Sequence, residues 1–492
     1  MRTQWRTASR EDLLKELEQQ QAEIERQRRE IEQQRGDLER VQQERDRLRR
    51  ERERLPKKID RLEDELDAAR RAGFRQAAPF SKGAPTRAPR RPGRHAGAAY
   101  GTKAHRPVPR HIDESYEAPL PSTCPQCGGR VRRTRIAVQY QEDLPPVRPI
   151  VRRFHVHVGR CDRCRARVQG RHPLQTSDAL GAAAAQLGPS AVALATILNK
   201  QLGLSVGKVS TLLRQWFGLS VTPSGLVHAL QRAARQAQPT YAALIDQIRG
   251  SPVVTPDETG WKVGGHLQWL WAFVSPQTTV YAIQPGRGFE EAAAILGADF
   301  DGILVRDGWA PYRRFTAAAH QTCLAHLLRR CRALERDHDE HHFAPRVQRL
   351  LLQGLDVRER WREGRVSEHG IAVARGHLLT RLNALLEDPG PARVAERFAN
   401  HLSVEFPAVF TFLFDPTVDA TNWRAEQALR PAVVTRKVWG GNRTAAGATT
   451  QQILASVLRT SQQRQLDTPT LLTQMLRARE PIVPLALRAG QR

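Results

Sequence analysis

Val253-Val254-Thr255-Pro256-Asp257-Glu258-Thr259-Gly260-Trp261 is an apolar run that ends in an acid and leads into Gly-Trp. A second version stands fifty residues on, as Gly302-Ile303-Leu304-Val305-Arg306-Asp307-Gly308-Trp309. Short apolar runs bounded by turn residues read as buried strands, so each predicts a strand whose last residues deliver a carboxylate to the sheet edge. Between them, His266–Val274 and Thr278–Ile283 are rich in aromatic and β-branched residues, and Phe289–Leu296 reads as a short helix. The order strand, strand, strand, helix, strand is the opening of a ribonuclease-H-like α/β core, in which the first and fourth strands are neighbours. Asp257 and Asp307 then converge. Two carboxylates at one point repel unless a divalent cation lies between them.

Outward from this core, composition sets the partner. A net charge of +26 over 492 residues points to a polyanion, nucleic acid above all. Residues 1–12 are polar and carry no secretory signal. The long uncharged stretch Ala179–Asn199 is mostly Ala and Gly and is broken by Gly188-Pro189. It is too weakly apolar to span a bilayer and predicts two helices instead, so no membrane partner is expected. Four of the six cysteines form two Cys-x-x-Cys pairs, which favours metal ligation in a reducing compartment over a disulfide framework.

The N-terminal 75 residues predict a coiled coil that joins copies of the chain. Leu17, Ile24, Ile31 and Leu38 fall seven apart, and Ile59 and Leu66 continue their register. Val41, Leu48, Leu55 and Leu62 supply the second seam position, where Gln20, Gln27 and Gln34 stand earlier. Pro56 breaks the helix. Residues 76–118 form a basic linker; no acid occurs from Ala68 to Ile112, and Arg87, Arg90, Arg91 and Arg94 are candidates for DNA phosphate contact.

Residues 119–173 hold Cys124-Pro-Gln-Cys127 and Cys161-Asp-Arg-Cys164. Between them, Arg130–Tyr140 and Ile150–Val158 alternate like two strands, with His155 and His157 turned away from the apolar face. Two knuckles bracketing a hairpin would bring Cys124, Cys127, Cys161 and Cys164 around one structural Zn²⁺ in a zinc-ribbon-like module. Residues 174–240 are helical over Val192–Leu202, Val206–Phe217 and Ser224–Ala234. The short turn around Leu219–Pro223 suits a DNA-binding helix-turn-helix and equally a packing bundle.

Residues 241–332 are then the first part of the core. Cys323-Leu-Ala-His326 follows the second aspartate, and Cys323, His326 and Trp309 are taken as residues that support the site. Residues 333–415 form a helical insertion with Leu378, Leu379, Leu382, Leu385 and Leu386 in one stripe. Residues 416–492 complete the core. Two acids hold metals poorly, so a third should return here; Glu405, Asp415, Asp419 and Glu426 are the candidates. Glu426 is preferred: Thr421 or Asn422 can cap its helix, and the basic residues Arg430, Arg436, Lys437 and Arg443 follow as DNA-contact candidates.

These residues resemble the bacterial DDE transposases of the insertion-sequence-66 family. The likeness extends over nearly the whole length: the coiled coil, the linker with Ala78-Pro79-Phe80-Ser81-Lys82, the paired Cys-x-x-Cys module, Pro256-Asp257-Glu258-Thr259, Asp307-Gly308-Trp309 with Pro311-Tyr312, Cys323-x-Ala325-His326, and Ala425-Glu426-x-Ala428-Leu429-Arg430-Pro431. Relatives often carry Asn-Asn ahead of this Glu; here it is Asn422-Trp423. The resemblance implies that Asp257, Asp307 and Glu426 are the catalytic triad, holding two Mg²⁺ (or Mn²⁺) ions for cleavage and strand transfer of double-stranded DNA at element ends. It also implies a cytoplasmic, nucleoid-associated enzyme with small accessory transposition proteins as possible companions. The competing readings are a nuclease that cuts without joining and a DNA-binding regulator that has lost catalysis. The multidomain α+β architecture is common to all three.

Overall fold

A computed structural model describes parts of 15–49, with 21–36 and 42–49 the longest runs, and then 108–180, 186–338 and 340–488. The chain divides into two units, Met1–Ser115 and Tyr116–Arg492. In the first, residues 21–36 and 42–49 are helical, and the seam residues Ile24, Ile31 and Leu48 are exposed at 51%, 55% and 58%. The later heptads and Arg87, Arg90, Arg91 and Arg94 lie outside the described residues.

The second unit opens with the cysteine loops, and here the expected hairpin is corrected. Residues 131–157 form no strand. Instead β1 (Val158–Arg160) pairs antiparallel with β2 (Arg167–Gln169) around the second Cys pair. The physical reason is burial: Ile136, Val138, Ile150 and Val151 are all exposed, and an alternating hairpin with no layer to cover its apolar face is marginal.

Three helices follow. α1 (Pro189–Thr196) has Pro at its first position and continues as a π-helical turn through Gln201. α2 (Val206–Phe217) ends at Gly218 in the left-handed region, and α3 (Pro223–Arg249) starts from a Thr222 cap. α3 crosses the expected boundary at residues 240/241. Ala229, Ala233, Ala237, Tyr241, Leu244 and Ile248 recur on one face and enter the same apolar core as Val254 and Trp271. The helical segment is therefore joined to the core rather than separate from it.

The central sheet has β3 (Val253–Val263), β4 (His266–Val274), β5 (Thr279–Gln284), β6 (Ile303–Arg306) and β7 (Ala319–Thr322) in the order β5-β4-β3-β6-β7. β3, β4 and β5 form an antiparallel meander, while β6 and β7 run parallel to β3. α4 (Phe289–Leu296) makes the crossover. This is the expected core, with two corrections. β3 does not stop near Asp257: its ladder with β4 runs from Thr255↔Val274 to Val263↔His266, closed by Gly264-Gly265, both at positive φ. β7 was not expected at all, because Ala-His-Gln-Thr has no strand pattern and is held by its ladder to β6.

α5 (Leu324–His338) starts directly after β7, so the helical insertion begins before residue 333. It continues with α6 (Phe343–Arg362), α7 (Glu368–Glu387) and α8 (Arg393–Glu405). These helices share a core built on Phe343, Phe398, Phe410 and Phe412, with Leu378, Leu382 and Leu385 of the leucine stripe buried in it and Val253 and Val305 of the sheet included. The chain returns as α9 (Trp423–Trp439), α10 (Ala445–Gln463) and α11 (Thr468–Arg477).

The loop after α9 docks on the end of β3. Asn442 takes the indole N–H of Trp261 at 2.8 Å and donates its own N–H to the Lys262 carbonyl at 2.8 Å. Gly441 makes this approach possible: at φ +104, a Cβ there would lie 2.3 Å from the Lys262 oxygen. Among the described residues no helix is long and apolar enough to cross a membrane.

Candidate active site

Successive side chains of a strand point to opposite faces, and this decides what each acid of β3 sees. Asp257 lies across from Ala272 and Glu258 across from Trp271. Ala272 packs with Trp261, Val263 and the α9 residues Ala425, Ala428 and Leu429, so Asp257 faces α9. Trp271 packs with Val254, Phe273 and Tyr312 on the other side, and Glu258 faces that layer.

On the α9 side, Asp307 follows directly on β6 and accepts the Trp309 backbone N–H at 3.0 Å. Glu426 stands in the first turn of α9. Its backbone N–H goes to the Asn422 carbonyl at 3.2 Å, and the Asn422 N–H goes to Cys323 Sγ at 3.3 Å. Cys323 thus anchors the entry to α9. His326, on the first turn of α5, donates its backbone N–H to the Cys323 carbonyl at 3.1 Å.

The electrostatics converge on Asp257. Desolvation, then the charges of Glu258, Asp307 and Glu426, push its carboxyl up to about 8; the Glu258 N–H, donated to Oδ1 at 2.9 Å, offsets this only in part. Of the rival third acids, Glu405 is fully buried between Arg306 and Arg313. Asp419 is held by Arg358, Arg362 and Arg424. Asp415 caps its own turn through Thr417 at 2.8 Å and 2.6 Å. Among the described residues Glu426 forms an ion pair with Arg329 alone, at 3.3 Å and with both side chains substantially exposed, a weak pairing.

The model of the IS66 transposase family matches residues 184–450, more than half of the chain. The chain belongs to this family. No curated protein matches it. The protein is thus a transposase, an enzyme that acts on DNA, from a DDE family that uses divalent metal.

Among the described residues no three His, Cys, Asp or Glu side chains lie close enough to hold a metal together. Glu258, Asp307 and Glu426 act on Asp257 at longer range, and the two cysteine pairs are not drawn into one cluster. The donor chemistry still fits a hard divalent cation at Asp257: carboxylate oxygens are the ligands such ions take, and the groups acting on this acid are other acids and one N–H. Each cysteine pair likewise has the form of a metal-binding knuckle. The Gly128 N–H meets the Cys124 carbonyl and the Arg165 N–H the Cys161 carbonyl, both at 2.8 Å. Backbone N–H groups of Gln126 and Cys127 lower the Cys124 thiol, and those of Cys164 and Arg163 lower Cys161.

The basic candidates divide. Arg430, Lys437 and Arg443 are exposed, but Arg436 turns inward to the Gly260 carbonyl and to Thr259 Oγ1 at 3.2 Å. Arg436 is corrected from a DNA contact to an anchor of α9 on β3. His155 and His157 are exposed, as expected. Sequence reasoning missed Glu258, Arg287, Tyr312 and Arg329; Glu258 and Tyr312 stand inside the quoted motifs, while nothing marked the two arginines.

The raised Asp257 carboxyl has a thermodynamic sign. Its folded value, about 8, exceeds the ordinary ~3.9 of an aspartate, so the folded state holds the proton more tightly. That contribution is fully present below ~4 and is lost as pH rises to about 8. In thermal melts in EDTA between pH 5 and 8.5, the stability of Asp257→Asn should gain steadily on wild type as pH rises. A gap that does not change with pH would contradict the shift.

Proposed function

We propose that this transposase cleaves and joins DNA at its element ends with Asp257, Asp307 and Glu426 holding two divalent ions, Mg²⁺ or Mn²⁺. The observation that carries the reading is the concentration of acid charge on Asp257, which lacks the arginine that every rival third acid but Asp415 possesses. When bound, such ions activate a water or 3′-hydroxyl nucleophile and stabilise the leaving oxygen. The chain's own part is to present the three carboxylates from β3, the end of β6 and the first turn of α9, and to place Arg430, Lys437 and Arg443 where they can neutralise DNA phosphates. No protein nucleophile is required. Asp257→Asn, Asp307→Asn and Glu426→Gln should each abolish Mg²⁺-dependent nicking and strand transfer while leaving DNA affinity intact or slightly tighter. Wild-type cleavage by Glu426→Gln would remove it from the triad. In the same assay, a chain lacking residues 1–75 should cut single ends without forming a paired-end complex, since the exposed seam would self-associate.

Cys124, Cys127, Cys161 and Cys164 are assigned to one structural Zn²⁺, on the support of the two knuckles and the lowered thiols of Cys124 and Cys161. Elemental analysis of the full chain should find one zinc per chain, lost in Cys124→Ser and kept in Cys331→Ser. A wild-type chain without zinc would end this assignment.

End recognition is assigned to α2 and α3 as a helix-turn-helix. Together with α1 they share a separate apolar centre of Ala195, Leu198, Val209, Leu213 and Leu226. The start of α3 exposes Ser224, Val227, His228 and Arg232, and residues 179–245 contain no acid. His228→Ala and Arg232→Ala should each reduce the preference for element ends over random duplex by about 1–3 kcal/mol. Arg430→Ala with Lys437→Ala should instead weaken binding to every sequence and flatten the log–log salt slope by about 0.9 per lost contact. Equal losses on both duplexes from the α3 variants would reassign that helix to backbone contact.

A further inference from the structure

The ladder does not hold the two aspartates together. β3 and β6 pair only at Val253↔Ile303 and Val254↔Leu304, and both Asp257 and Asp307 lie beyond that pairing. Something else must set their separation.

The other face of the sheet supplies it. The Glu258 side chain is fully buried, and its two oxygens are both used: Oε1 accepts from Arg287 Nε and Oε2 from the Tyr312 hydroxyl at 2.6 Å. Arg287 belongs to the loop between β5 and α4, and Tyr312 to the short 3₁₀ turn that follows Asp307. The Arg287 carbonyl accepts the Trp309 indole N–H at 3.1 Å, and its guanidinium lies 4.1 Å from the Trp309 ring centroid and 5.0 Å from that of Trp269. Trp309 in turn gives its backbone N–H to Asp307 Oδ1. The path from the neighbour of Asp257 to the carboxylate of Asp307 is therefore continuous: Glu258, Arg287, Trp309, Asp307. Tyr312 forms a second strut to the same loop and packs edge-on against Trp271, the cross-strand partner of Glu258.

We propose that Glu258 is a positioning residue, the centre of a buried hub with Arg287, Tyr312 and Trp309 that fixes Asp307 relative to Asp257 from behind the sheet. The inference rests on the reading that Asp257 and Asp307 hold the divalent ions. Glu258 is a fourth acid beside the site, but strand alternation turns it away from α9 and its oxygens are spent on Arg287 and Tyr312. It acts on the site through the geometry it imposes. Groups that orient metal ligands typically govern affinity by 10–100-fold.

The test is Mn²⁺ binding to the purified full chain, followed by calorimetry, with DNA affinity in EDTA measured alongside. Glu258→Gln, Tyr312→Phe and Trp309→Phe should each weaken Mn²⁺ by roughly 10–100-fold and leave metal-free DNA affinity at the wild-type value. Glu258→Gln combined with Tyr312→Phe should lose little beyond the worse single variant, because both cut one network. Loss of Mn²⁺ in Glu258→Gln with wild-type affinity in both ring variants would make Glu258 a direct ligand and overturn the proposal. Wild-type affinity in all three would reduce the hub to packing. If Glu258→Gln does not fold, the ring variants decide, since each keeps an aromatic ring and removes one hydrogen bond. Asp257→Asn and Asp307→Asn serve as the reference: were they to bind Mn²⁺ normally, the underlying site reading would fail, independently of the hub.

Discussion

Gathering carboxylates in a partly dehydrated place is costly, and the catalytic domain is arranged around that cost. Among the described residues, three buried acids meet cations within the fold: Glu405 meets Arg306 and Arg313, Asp419 meets Arg358, Arg362 and Arg424, and Glu258 meets Arg287 with help from Tyr312, while a fourth, Glu340, accepts the backbone N–H groups of His342, Phe343 and Ala344. Removing one partner of a buried pair leaves a charge that typically costs ~3–5 kcal/mol, so these pairs are structural commitments. Asp257 is treated differently. Desolvation first, and then the charges of Glu258, Asp307 and Glu426, hold its proton to about 8 against a single backbone N–H. An acid left uncompensated where its neighbours are compensated is poised for a cation from outside the chain.

The sheet converts one residue of register into two roles. Asp257 and Glu258 are adjacent, yet they face different layers because alternation places them opposite Ala272 and Trp271. A slip by one residue would exchange them and send every side chain of β3 to the wrong side. The register is fixed at the C-terminal end of β3, by the Gly264-Gly265 turn and by the docking of Gly441-Asn442 against Lys262. The same docking, with Arg436 reaching Gly260, fixes α9 and hence Glu426. The placement of Asp257 and Glu426 is thus inherited from strand pairing.

Much of this was legible in the sequence, because the signals were local. Phe289–Leu296 reads as a helix and forms one, and the strand order follows from apolar runs and turns. Glu426 was preferred as third acid because Thr421 or Asn422 could cap its helix and basic residues followed; Asn422 does occupy the N-cap position, but its side chain makes no capping bond. What stayed illegible depended on partners distant in the chain. β7 is a strand only because β6 lies beside it. The extension of β3 past Asp257 needs β4. The inward turn of Arg436 needs a carbonyl 176 residues earlier. The supposed hairpin between the cysteine pairs failed for the converse reason: its alternation was real, but no layer exists to bury it.

The charge of +26 therefore has to be read in two parts. Arg306, Arg358 and Arg436 are consumed by acids or carbonyls inside the fold, and these cations would be present whatever the protein bound. Arg430, Lys437 and Arg443 remain exposed, and the proposed function gives them the DNA phosphates. Under that proposal, a phosphodiester approaching Asp257, Asp307 and Glu426 would meet repulsion that a bound divalent ion would lift. Affinity for DNA and competence to cut it are then carried by different residues. Under that proposal, broad DNA binding rests on the exposed cations while the chemistry rests on the acids.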